Sequence, residues 1–175
     1  MLSSTFPYPP SRGGTEVRTF HLLQYLQQRH EVTLVTQRSP DVTDAEAAAL
    51  REFVADLAVF PLPMEKPPGS KLGTFGGKLV RLGRAIATGI PPNVRCRYSP
   101  EIQTWIDQRV RDGKFDVITC EHGVNAVYVR PSWRRRVRTV LNAHSLSYPS
   151  MLSHLRVGAA EQPGRDRLYL ATVRR

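Results

Sequence analysis

The chain has 175 residues, of which 41% are hydrophobic and 23% charged, values that suit one folded core and exclude wholesale disorder. With 25 Lys and Arg against 15 Asp and Glu the formal charge is +10, so an anionic partner is expected: nucleic acid, anionic lipid or a phosphorylated small molecule. Two cysteines, Cys96 and Cys120, are too few for a disulfide framework. No run of about 18 apolar residues occurs, and the basic start and apolar core of a signal peptide are absent. The pattern reads as a cytoplasmic protein, one that can still rest on the inner face of a membrane.

In chain order, Met1 to Thr5 reads as the end of a strand, because only Met1 and Leu2 are strongly apolar where a buried strand uses about five or six residues. The stretch Phe6 to Gly14, FPYPPSRGG, excludes helix and strand by its three prolines. Gly13 and Gly14 then precede a helix over Thr15 to Arg29, where Val17, Phe20, Leu23 and Leu26 recur at helical spacing. Such a turn leaves helix N-H groups facing outward for a phosphate or other anion, and it serves equally as a plain tight turn. EVTLVT, Glu31 to Thr36, is a short buried strand.

Thr43 and Glu46 have capping-box spacing and open a second helix, and Leu57 to Phe60 forms a third strand stopped by Pro61. Residues 61–77 have loop composition. Leu72, Phe75, Leu79, Leu82 and Ile86 nevertheless repeat at steps of three and four, opposite Lys71, Lys78, Arg81 and Arg84, which predicts an amphipathic element. Ser99 and Pro100 cap a helix that ends at Gly113. Phe115 to Cys120 and Thr139 to Asn142 are the fourth and fifth strands, separated by a turn, a short segment and the basic run Arg134 to Arg136. From Ser150 the tail reads as helical, broken at Pro163 and Gly164. Strands alternating with helices predict an α/β fold with a doubly wound parallel sheet. In such sheets ligands sit beyond the carboxyl ends of the strands. The loops leaving strands one, four and five carry Gly13 and Gly14, Glu121 and His122, and His144.

The opening FPYPPSRGGTEVRTFHLLQYLQQRHEVTLVT, the middle KFDVITCEHG and the later TVLNAHSLSY resemble the amino-terminal half of a glycosyltransferase family 4 enzyme of GT-B fold. The resemblance implies transfer of a sugar from a nucleotide-sugar donor to an acceptor with retention, with this Rossmann-like half mainly holding the acceptor. It implies that Gly13 and Gly14 approach the donor diphosphate, that Arg18 stands one helical turn beyond, and that His144 lines the reaction centre. Glu121 and His122 match a looser position near the acceptor, and Asn125 and Tyr148 are further candidates. Residues 1–157 correspond to the family's amino-terminal domain and residues 158–175 to a linker toward a separate donor-binding domain.

The partners implied are a nucleotide-sugar, as substrate rather than cofactor, and an acceptor that is a small molecule or a lipid-linked glycan. No cofactor and no metal site is read, since the five histidines lack ligand spacing and neither a P-loop string nor Gly-x-Gly-x-x-Gly occurs. A second reading stays open. It is a non-enzymatic basic module that binds an anionic surface through Arg134 to Arg138 and Lys71 to Arg84. Nucleic acid is the weaker form of it, because the basic residues are not interleaved with aromatics in a recognised motif.

Overall fold

The computed structural model describes residues 1–11, 13–63, 92–95, 97–143 and 147–159, together with positions 83, 87, 161, 163, 164, 166, 167 and 170. Two compact units form, one from Met1–Pro63 with Ser99–His144 and the other from Met64–Tyr98 with Ser145–Arg175. The predicted amphipathic element over Leu72 to Ile86 lies outside the described residues apart from position 83.

The first unit is built on a five-stranded sheet with every neighbouring pair parallel, in the order β3-β2-β1-β4-β5. Its strands are β1 (Leu2–Ser3), β2 (Thr33–Arg38), β3 (Asp56–Pro61), β4 (Val117–Glu121) and β5 (Arg138–Asn142). This is the doubly wound arrangement that the alternation predicts, with the strand order reversing at β1. A strand inside a parallel sheet is covered on both faces, and β2 accordingly buries Leu34, Val35, Thr36 and Gln37 in succession.

Side-chain parity shows which helix covers which face. Leu57 and Val59 of β3 pack with Leu34 of β2, with Leu23 of α1 (Gly14–Leu26) and with Leu50 of α2 (Asp44–Arg51). Phe60 points the opposite way and meets Trp105, ring centroids 6.4 Å apart. Trp105 belongs to α4 (Pro100–Arg111), whose Ile102, Ile106 and Val110 are buried. The guanidinium of Arg109 stacks on Trp105 at 3.9 Å and lies 3.6 Å from Asp56. So α1 and α2 cover one face and α4 the other.

Local chemistry ends these helices where the sequence predicts. The Thr43 hydroxyl accepts from the Glu46 amide at 3.2 Å while Glu46 Oε2 accepts from the Thr43 amide at 2.8 Å, a complete capping box. The Ser99 hydroxyl caps α4, accepting from the Ile102 amide at 3.4 Å. At its other end Gly113 takes φ 64, a left-handed conformation that favours glycine, and the Lys114 amide donates back to the Arg109 carbonyl at 3.0 Å. Between β4 and β5 the chain forms two 3-10 helices, η1 (Gly123–Tyr128) and η2 (Pro131–Arg135). Tyr128 Oη accepts from the Ser99 amide at 2.8 Å, and Trp133 Nε1 donates to Asp107 at 2.9 Å, which pins both to α4.

In the second unit the described elements are α3 (Pro92–Arg95) and α5 (Ser147–Arg156). Gly158, at φ 70, closes α5, with the Ala159 amide donating to the His154 carbonyl at 2.9 Å. Several predicted boundaries move. β2 runs Thr33–Arg38 rather than Glu31 to Thr36, because Gln37 and Arg38 find partners in Phe60 and Pro61. Pro61 ends an edge strand, where its missing N-H costs no ladder bond.

Candidate functional site

The carboxyl ends of β1, β4 and β5 lie side by side in the sheet. The loop after β1 leads to Gly13, whose φ of 178 and ψ of 169 are extended values open to any residue, and Gly14 is already helical. Backbone conformation therefore does not demand glycine at either position. A Cβ on Gly14 would meet nothing within 4 Å, whereas one on Gly13 would lie 2.7 Å from Glu16 Oε2, the far end of a flexible side chain. Gly13 offers no side-chain cap, so the first N-H groups of α1 have no acceptor within the helix. The carboxylate of Glu16 rests beside this positive helix end, where negative charge is favoured.

One turn into α1, the exposed Arg18 guanidinium donates to Asn142 Oδ1 at 3.3 Å, which joins the helix to the end of β5. Asn142 Nδ2 in turn donates to Glu121 Oε2 at 3.0 Å, at the end of β4. Glu121 is 1% exposed, so its carboxylate is buried beneath Asn142. Asn125 Nδ2 donates to the Glu121 carbonyl, and Asn125 Oδ1 is buried with no hydrogen-bond partner among the described residues.

His122 has φ 75 and ψ 142, a conformation that L side chains rarely adopt and that costs on the order of 1–3 kcal/mol. Its neighbours hold it there. Its amide donates to the Asn142 carbonyl at 2.9 Å, continuing the β4–β5 ladder, while its carbonyl accepts from the Asn125 amide at 3.1 Å. The backbone consequently turns sharply at the strand end.

Arg18, Glu121 and His122 are thus brought together with Asn125. His144 and the side chain of Tyr148 lie outside the described residues. Asn142 is the residue that sequence reasoning passed over, although its place at the end of β5, two positions before His144, was the available signal. No group of three or more metal-binding side chains occurs among the described residues, and none of their helices is long and apolar enough to cross a membrane.

Comparison with known proteins adds a family. The family model described as Glycosyltransferase Family 4 matches residues 12–175, which include the Gly13–Gly14 turn, Arg18 and the ends of β4 and β5. No curated protein and no solved structure matches. A match over nearly the whole chain, on a five-stranded parallel sheet in Rossmann-like order, decides the assignment: the chain belongs to glycosyltransferase family 4.

Proposed function

We propose that this chain is the acceptor-side half of a glycosyltransferase that moves a sugar from a nucleotide-sugar to an acceptor with retention of configuration. The observation that carries the reading is the chain of contacts Arg18–Asn142–Glu121, which ties the start of α1 to the ends of β4 and β5. In the transfer the bond between the anomeric carbon and the diphosphate oxygen breaks and a bond to the acceptor oxygen forms. The acceptor hydroxyl gives up its proton to the departing diphosphate oxygen. Negative charge grows on the departing diphosphate, and the Gly13 and Gly14 amides, with Arg18, are the groups to meet it. His144 hydrogen-bonds the reacting sugar, and the Glu121–His122 turn borders the acceptor, a small molecule or a lipid-linked glycan.

A second, donor-binding domain supplies the pocket for the nucleotide. Residues 1–157 act as the acceptor-side domain and residues 158–175 lead toward that second domain. Without it the Gly13 and Gly14 amides face water, where charges interact weakly, and rate is lost steeply when one side of a site is absent. The purified 175-residue chain is therefore expected to show no sugar transfer. Adding a donor domain from a related enzyme should restore turnover, and His144→Ala or Gly14→Val should each cut the restored rate at least tenfold. Gly14→Val is informative because the space beside Gly14 is open, so the variant should fold and the loss should come from crowding the diphosphate. Transfer by the unaided chain, or full activity of Gly14→Val in the reconstituted pair, would overturn this reading.

A further inference from the structure

Register places four polar residues in one row across the sheet: Thr36 of β2, Ser3 of β1, Glu121 of β4 and Asn142 of β5. The row lies on the α1 face, since Thr36 stands two residues past Leu34, which packs with Leu23 of that helix. Thr36, Ser3 and Glu121 are buried, where a polar group costs free energy unless it is paired and where apolar side chains would pack without that cost. The pairs they make are specific. The Ser3 and Thr36 hydroxyls donate to the Thr5 carbonyl at 2.8 and 3.3 Å, which holds the start of the loop after β1. Glu121 and Asn142 reach Arg18 and so hold the first turn of the helix at the loop's other end. The row therefore grips both flanks of the segment that carries Gly13 and Gly14.

The Asn142 amide has an accepting end and a donating end, whereas a guanidinium only donates and a carboxylate only accepts. With Oδ1 toward Arg18 at 3.3 Å and Nδ2 toward Glu121 at 3.0 Å, both contacts are attractive. Turned over, the amide would set N-H groups against the guanidinium and oxygen against the carboxylate. Glu121 thus decides which end of Asn142 Arg18 meets. The pair is itself held by the sheet: Glu121 and Asn142 are register partners, and the His122 amide donates to the Asn142 carbonyl at 2.9 Å. Arg18 is exposed, and a long exposed side chain loses conformational entropy when an anion orders it. Asn142 Oδ1 takes up part of that ordering beforehand. It engages Nη2 of a group with five N-H donors, and being neutral it leaves the positive charge in place.

We infer that Asn142 is a positioning residue for the sugar transfer and that Glu121 acts behind it: Glu121 orients the Asn142 amide, the amide holds Arg18, and Arg18 meets the departing diphosphate. The inference rests on the function proposed above. It gives Glu121 a part exercised through Asn142, in keeping with its burial. A guanidinium already in place meets charge as it develops, with no reordering during the reaction. The relay therefore acts on the departure of the diphosphate and leaves acceptor binding unchanged.

Two measurements test it. In the 175-residue chain alone, nitrogen-15 relaxation at Arg18 Nε is expected to show an order parameter that falls below about 0.6 in Asn142→Ala and in Glu121→Ala, from a higher value in the wild type. In the chain paired with a related enzyme's donor domain, Asn142→Ala should lower kcat/KM for the nucleotide-sugar by about fivefold and leave the acceptor KM within about twofold. Arg18→Ala should cost more, and adding Asn142→Ala to it should cost nothing further, because a residue that works through Arg18 has no effect without it. Asn142→Ser, one atom short of Arg18, serves where Asn142→Ala fails to fold. Equal order of Arg18 in the wild type and either alanine variant would overturn the proposal, and so would losses that add in full. A wild-type pair that transfers no sugar would instead overturn the proposed function, and this inference with it.

Discussion

Cys120 shows how a single side chain becomes a stability statement. It is 1% exposed, and burial pushes its thiol up to about 11, with the Met1 amine opposing the shift and Glu121 adding to it. The folded chain keeps this proton while the unfolded chain releases it from the ordinary value of 9.0, so the contribution is full below pH 9 and is lost as pH rises toward 11. Between pH 8 and pH 10.5 the loss from this group comes to about 2 kcal/mol. Urea denaturation at those two pH values should show the wild type losing about 2 kcal/mol more than Cys120→Ala. Equal losses would mean that the thiol is not held in its neutral form. At the same scale the two glycines teach a different lesson. The string Gly13–Gly14 is compatible with a tight turn and with a close approach by a ligand, and the extended φ of Gly13 with the open space beside Gly14 shows that the backbone does not require glycine at either position.

Elements differ in how far they can be read before folding. Helix ends are written locally: Thr43 with Glu46, Ser99 with Pro100, and Gly113 each act within a few residues, and each does in the fold what its chemistry predicts. Gly113→Ala is expected to cost about 1–2 kcal/mol, since a Cβ there meets nothing within 4 Å and the whole penalty is that of the left-handed backbone. Gly113→Asn should cost less, because asparagine tolerates that region. Chemical denaturation of the two variants checks the order, and an unchanged Gly113→Ala would show that the turn relaxes. Strand ends are not local. The shift of β2 to Thr33–Arg38 depends on partners in β3, which no window around Glu31 contains. The contacts of the candidate site are less local still. Glu121 was legible as a candidate from its place at a strand's carboxyl end and Arg18 from the family resemblance, but the Asn142 side chain that joins them draws on three elements far apart in sequence.

For the molecule as a whole the charge of +10 has a visible home in the exposed arginines 130, 134, 135, 136 and 138 around η2 and the start of β5. Such a cluster suits an anionic membrane face, the surface on which a lipid-linked acceptor would be met. Co-sedimentation with vesicles should appear with anionic lipid at low salt, weaken as salt screens the charges, and fall several-fold on reversing Arg134 and Arg135 to glutamate. Equal binding to neutral and anionic vesicles, or binding to neither, would remove the membrane from the account. The position of β1 bears on how the chain is made. Its residues leave the ribosome before those of β2 to β5, yet Leu2 is held between Val35 and Cys120, a partner synthesised more than a hundred positions later. The β2–β3 pairing, complete by Pro61, can form early, while the middle of the sheet waits for β4. A nascent chain stalled before Val117 leaves the β4-facing edge of the young sheet open, and that intermediate, more than the finished protein, is the form a chaperone has to guard.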